Sequence, residues 1–224
     1  MASNLQKLCQ TVPPPSSLLP KMIVFDLDDC LWTPEVFTLP SPPSIPVRGD
    51  LNPSTSSSAP HRQNPKSSPA EEGIIGMRCA GGGPTVHLFP GARATLRELV
   101  LNSHYADVTV ALASSSLEPD YSHMCLDIEI VPGMSLMDVV SYAQIGRTGR
   151  LSPRKTSHFG LLREESGFSF EEMLFFDDCN WGDHVADLEN ALGVVGQRTP
   201  RGLQLSEFYE GLEKYRIRAQ ERPL

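Results

Sequence analysis

Apolar residues gather in short continuous runs, Met22 to Phe25, Val108 to Ala113, Met173 to Phe176 and Gly193 to Val195, separated by longer stretches of helical period. Runs of this length suit strands covered on both faces, and their alternation with amphipathic stretches predicts parallel strands joined by crossover helices. In "PGARATLRELVLNS", Ala94, Leu96, Leu99, Val100 and Leu101 form a broad apolar side, and Pro90 suits the first turn. "SPRKTSHFGLLREESG" offers Ser152 as N-cap, Pro153 as first helical residue and Gly167 as stop, with Phe159, Leu161 and Leu162 as the packing face. "SEFYEGLEKYRIRAQ" opens on the capping residue Ser206 and carries Phe208, Leu212 and Tyr215 at helical spacing. The predicted class is α/β with a doubly wound parallel core.

Two segments break this pattern. Residues 1–20 hold prolines at 13, 14, 15 and 20 with little periodicity, which predicts a disordered leader. Residues from about 40 to 84 are rich in Ser and Pro and too poor in apolar surface to offset chain entropy, which predicts a disordered insertion. The rest, 21–216, reads as one domain followed by a short tail, 217–224, in keeping with a length of 224 residues.

A formal charge of −8 and a pI near 5.2 argue against nucleic acid or an anionic membrane as partner. The five cysteines are scattered and form no CxxC pair, so neither a disulfide framework nor a zinc site is suggested and a reducing compartment fits. No segment approaches the roughly 18 apolar residues of a membrane span. The expectation is a soluble, cytoplasmic monomer acting on small molecules or proteins.

The chemistry gathers where the strands end. In an open parallel sheet ligands bind beyond the carboxyl ends of the strands, and Asp26, Asp28 and Asp29, Ser114 to Ser116, and Asp177 with Asp178 follow three of the runs. Asp26 and Asp28 lie two apart, a spacing that turns both carboxyl groups to one side of an extended chain. With Asp177 beside them they repel unless a cation bridges them, and an all-oxygen site of carboxylates, a carbonyl and waters suits Mg²⁺.

"DLDDCLW", Ser114 in "VALASSS", Lys155 in "SPRKTSHF" and "FFDDCN" resemble, in order and interval, the four motifs of the haloacid dehalogenase superfamily. "HLFPGARATLREL", "KTSHF", "MLFFDD" and "GVVGQRTPRGLQLSEFYEGL" are similar more narrowly to the magnesium-dependent phosphatase 1 family. The resemblance spans roughly 21 to 215 apart from the insertion. It implies a Rossmann-like three-layer sandwich with little or no cap domain. It further implies Asp26 as nucleophile forming a phosphoaspartate, Asp28 as general acid and base, and Lys155 as the charge that neutralises the phosphoryl group. Mg²⁺ would be held by Asp26, the Asp28 backbone carbonyl and Asp177, with Asp178 outside them, and Ser114 would donate to the phosphoryl oxygens. Ser115 stands where relatives often carry arginine, and with Trp32 it is expected to line the substrate cleft.

The implied substrates are aryl phosphates, protein phosphotyrosine, and phosphorylated sugars or sugar amines, so the partner is a phosphorylated small molecule or a phosphoprotein. The competing readings are a metabolite-specific phosphatase or phosphotransferase on the same scaffold, and a non-catalytic phosphoprotein-binding module. Cys30 and Cys179, each shortly after a catalytic aspartate on strands that should be neighbours, raise the hypothesis of oxidative inhibition through one or both thiols, against the favoured alternative of two unreactive small residues, since thiolates beside carboxylates are disfavoured.

Overall fold

The computed structural model describes residues 18–51 and 71–222. In chain order the strands and helices are β1 (Met22–Phe25), β2 (Trp32–Thr33), β3 (Ile45–Asp50), β4 (Glu72–Arg78), β5 (Thr85–Leu88), α1 (Pro90–Leu101), β6 (Thr109–Ser114) and α2 (Pro119–Cys125). There follow β7 (Glu129–Val131), β8 (Met134–Ser135), α3 (Leu136–Val139), β9 (Val140–Ile145), α4 (Lys155–Ser166), β10 (Met173–Asp177), α5 (His184–Leu192), β11 (Val195–Arg198) and α6 (Leu205–Gln220).

The central sheet has the order β11-β10-β1-β6-β9, and all its pairings are parallel. Its strands alternate sides with a period of two, as pleating requires. Ile23, Phe25, Leu174 and Phe176 enter one core with Leu96 of α1 and Phe208 and Leu212 of α6. Met22, Val24, Ala111 and Phe175 enter the other, with Phe159 of α4 and Val185 and Leu188 of α5. These helices cover both faces, so the architecture is the expected three-layer α/β sandwich. Beyond the core lie a four-stranded antiparallel sheet, β2-β5-β4-β3, and the hairpin β7-β8.

Register delivers the site. Phe25 pairs with Phe176 on one side and Leu112 on the other, so the next residues of the three strands, Asp26, Asp177 and Ala113, reach the carboxyl edge at one level. The Asp26 amide donates to the Phe176 carbonyl at 2.9 Å, extending the ladder by one step beyond β1.

The predicted elements shift in detail. Helix α4 begins at Lys155 with Arg154 as N-cap, so Ser152 and Pro153 precede it; the Ser157 hydroxyl instead takes the Ser152 amide at 2.9 Å. Gly167 ends it at φ 75°, as expected of a left-handed C-cap. Gly193 is another such cap, at φ 75°, so the last strand starts later, at Val195. Helix α6 is opened by a capping box between Gln204 and Glu207 rather than by Ser206, and it continues through the expected tail to Gln220.

The segment 40–84 needs a larger correction, because its two ends are strands. β3 pairs antiparallel with β4, and β4 with β5. Averaged composition hid Ile74, Ile75 and Met77 among Ser and Pro, and Pro46 is tolerated because β3 lies at the sheet edge. Residues 52–70, and the leader apart from 18–20, lie outside the described residues.

Helix α6 backs the strand that carries Asp177, and Phe208 is its fully buried anchor, meeting Phe176 at 6.1 Å and Tyr105 at 5.8 Å between ring centroids. Phe208→Ala is expected to lower unfolding free energy by about 3–5 kcal/mol, measured by chemical denaturation. A loss under about 1 kcal/mol would show that this packing does not hold the layer.

Candidate active site

At the end of β1 the chain turns sharply. The Leu27 carbonyl accepts from the amides of Cys30, Leu31 and Trp32 at 3.3, 2.8 and 3.2 Å. Asp29 adopts φ 53°, a left-handed conformation an aspartate tolerates, and its amide donates to the Trp32 carbonyl at 2.9 Å. The turn brings the Trp32 indole back over the acids. Its Nε1 donates to Asp28 Oδ1 at 2.7 Å, and the Val36 amide donates to the same oxygen at 3.0 Å. Burial pushes the Asp28 carboxyl up to about 6, against the pull of these two donors.

Lys155, the first residue of α4, is buried and reaches through the layer to the strand ends. Its Nζ donates to Asp26 Oδ1 at 2.5 Å and to the Ala113 carbonyl at 2.5 Å, and lies 3.5 Å from Asp177 Oδ2. Burial works against the ammonium, but attraction to Asp26 and Asp177 outweighs it and holds the Lys155 pKa above its ordinary value. Burial likewise raises Asp26, and the Lys155 charge opposes that rise.

A second tight turn follows β10. Asp177 Oδ1 accepts from the Cys179 amide at 2.8 Å, Asp178 Oδ2 accepts from the Asn180 amide at 3.0 Å, and Cys179 sits at φ 60°. Burial, helped by repulsion from Asp26 and Asp177, raises the Asp178 carboxyl to about 7. Oxygens of Asp26, Asp177 and Asp178 lie within 4.8 Å of one another. Asp177 Oδ2 is buried without a hydrogen-bond partner among the described residues, the ammonium at 3.5 Å being its charged neighbour. An orphaned carboxylate oxygen within an all-oxygen cluster fits a hard divalent cation such as Mg²⁺.

These groups close the inner end of a cleft of about 460 Å³ lined also by Ser114, Ser115 and Asp28. Of the residues predicted from sequence, Asp26, Asp28, Lys155, Ser114, Ser115 and Asp178 line the cleft, and Asp177 lies behind them in the carboxylate cluster. Trp32 does not line it. The ring is fully buried in the core, and only its indole N–H serves the site, by fixing Asp28. His158 is also internal: its Nε2 carries the proton, because both groups beside it, the Ser114 and Gly146 carbonyls at 3.1 Å, can only accept. It therefore ties the end of β6 to the loop after β9.

The surroundings of the two cysteines favour unreactive thiols. Cys30 is buried, donates to the Phe176 carbonyl at 3.6 Å and accepts from Thr199 at 3.4 Å; burial and the charge of Asp26 push its thiol far up. Burial and Asp177 push Cys179 to about 12. Thiols held protonated are poor targets for oxidation. Asp183 is likewise outside the site, capping α5 through the Ala186 amide and pairing with Arg198 on the surface at 2.6 Å.

Sequence reasoning missed Arg147, whose Nε donates to the Ser115 carbonyl at 2.5 Å in the cleft wall, and Trp181, Phe37 and Leu117 at its mouth. Their only signal would have been position in loops at the carboxyl edge.

Residues 18–218 match the profile of the family described as Acid Phosphatase. The human protein named magnesium-dependent phosphatase 1 is 26% identical over 216 residues, covering 92% of each chain. A HAD-like hydrolase superfamily protein of Schizosaccharomyces pombe is 26% identical over 160 residues, covering 71% of this chain and 76% of its own. The crystal structure of the N-terminal part of a Bacteroides fragilis protein, containing a phosphatase domain complexed with Mg, superposes with a TM-score of 0.52 at 12% identity. That match spans 89% of this chain but only 40% of the other, and it speaks for the fold. With nearly the whole chain matched, from the leader's end to the last helix, the protein belongs to the acid phosphatase family and is similar to the magnesium-dependent phosphatase 1 branch of the haloacid dehalogenase superfamily.

Proposed function

We propose that this phosphatase hydrolyses phosphomonoesters by transferring the phosphoryl group to Asp26, with magnesium as cofactor. The observation that carries the reading is the grip of the buried Lys155 ammonium on Asp26 Oδ1 at 2.5 Å, beside an Asp177 oxygen left without a hydrogen bond. Asp26 and Asp177, with the Asp28 backbone carbonyl, would hold Mg²⁺, and Asp178, expected outside them, brings an oxygen into the same cluster; the ion would supply positive charge against the phosphoryl oxygens and the clustered acids.

In the first step an Asp26 oxygen attacks phosphorus, the bond from phosphorus to the leaving oxygen breaks, and that oxygen takes a proton from Asp28. In the second, water attacks the phosphorus of the acyl phosphate, gives its proton to Asp28, and inorganic phosphate departs from a restored Asp26. Trp32 and the Val36 amide both bind Asp28 Oδ1, so the other oxygen is left for this exchange. The Ser114 hydroxyl donates to the phosphoryl oxygens, and Lys155 neutralises charge on the transferred group. Aryl phosphates, phosphotyrosine in proteins, and sugar or sugar-amine phosphates are the substrates this reading admits.

Four outcomes test it. On a panel of phosphopeptides, aryl phosphates and sugar phosphates, Asp26→Asn is expected to lose on the order of 10³-fold or more in kcat. Acid-quenched wild type should carry phosphate on the Asp26 peptide by mass spectrometry; a retained rate in the variant would remove the nucleophile. Calorimetry is expected to show magnesium binding weakened at least about tenfold in Asp177→Asn, and unchanged affinity would move the metal elsewhere. Trp32→Phe keeps the buried ring but deletes the donor to Asp28, so kcat should fall about tenfold while the melting temperature changes little; equal kcat would deny Trp32 its positioning role.

A further inference from the structure

The described residues expose six large hydrophobic side chains, and three of them, Phe37, Leu117 and Trp181, line the cleft that holds Asp26. They are exposed by 40, 58 and 74%. They come from three separate segments at the carboxyl edge: the 3₁₀ turn Val36–Thr38, the loop between β6 and α2, and the turn between β10 and α5. Exposed apolar surface gathered at the mouth of a cleft marks a binding surface more often than chance exposure does.

Trp181 is also held in place. Its Nε1 donates to Glu35 Oε1 at 2.5 Å, and its ring meets Phe37 edge-to-face at 6.1 Å and 72°. An aromatic plane fixed before the ligand arrives loses little entropy on binding. The cleft therefore grades from a buried, charged floor at Asp26 and Lys155 to an exposed, aromatic mouth.

We propose that Trp181, Phe37 and Leu117 are specificity-determining residues that clasp the leaving group of the phosphomonoester, with Glu35 as the residue that positions Trp181. The favoured leaving group is flat, apolar and uncharged. The Glu35 carboxylate at the rim repels an acidic group, and the indole N–H that would serve a sugar hydroxyl is already bonded to it. The inference rests on Asp26 as the phosphoryl acceptor, which sets the floor of the same cleft.

The test compares kcat/KM for phenyl phosphate with that for glycerol phosphate and glucose 6-phosphate, using the full chain with magnesium. Trp181→Ala should lower the preference for phenyl phosphate about tenfold, mostly through KM. Glu35→Ala should lower it about threefold, and Glu35→Gln, which keeps an acceptor oxygen, should recover most of that loss. Trp32 is tied to Asp28 on the floor and Trp181 stands exposed at the mouth, so phenylphosphonate should change the intrinsic fluorescence more than methylphosphonate does, and Trp181→Ala should remove that difference. An unchanged preference in Trp181→Ala, or equal fluorescence responses to the two phosphonates, overturns the clasp. A rate that survives Asp26→Asn instead overturns the nucleophile and leaves the preference to be read on its own terms.

Discussion

The structure is organised around one buried ammonium. Lys155 stands at the first position of α4, where the helix dipole disfavours a cation, and it is almost wholly removed from water. Both penalties are offset by Asp26 at 2.5 Å, Asp177 at 3.5 Å and the Ala113 carbonyl at 2.5 Å. The same contact draws together the ends of β1, β6 and β10 and the start of α4. It fixes the height at which the helix crosses the sheet and the oxygen of Asp26 that is drawn inward.

The carboxyl edge was legible because two rules act locally. A spacing of two marked Asp26 and Asp28 as a pair, although β1 ends at Phe25 and the turn after it, not the pleat, places Asp28; and a parallel sheet offers its ligands at strand ends, so the acids and Ser114 stood out from sequence alone. Lys155 obeys neither rule; as a lone residue early in a helix it resembles a solvated lysine, and only family resemblance singled it out. The misreading of Trp32 has a similar cause. Proximity to the acids is visible in a sequence, but whether a ring faces the cleft or the core depends on the left-handed turn at Asp29, which spacing does not reveal.

What sequence could not yield is everything built by convergence of loops. Phe37, Leu117, Arg147 and Trp181 are separated by up to 144 positions along the chain and meet only because the sheet order β11-β10-β1-β6-β9 brings their loops to one edge. The half-exposed strand β9 was missed because "VSYAQI" shows no continuous apolar run, being an edge strand covered less fully than its neighbours. In β3 and β4 the pattern was present but short, and the Ser- and Pro-rich sequence around it dominated the average.

Three clustered carboxyl groups share one ammonium at the floor of the cleft, so ionising all of them leaves uncompensated negative charge, and burial raises the pKa values of Asp26 and Asp178 accordingly. A fold would shed that charge if stability were the sole requirement, since buried acids without full compensation are costly. Keeping it favours whichever cation completes the cluster, and the binding of that cation stabilises the folded chain by mass action. The floor is thus held rigid by the sheet and by charge, whereas the mouth consists of loop side chains whose replacement leaves the sheet register untouched. In the proposed reaction, chemistry and selectivity fall to different parts of the same cleft, one fixed by strand register and the other free to vary with loop sequence.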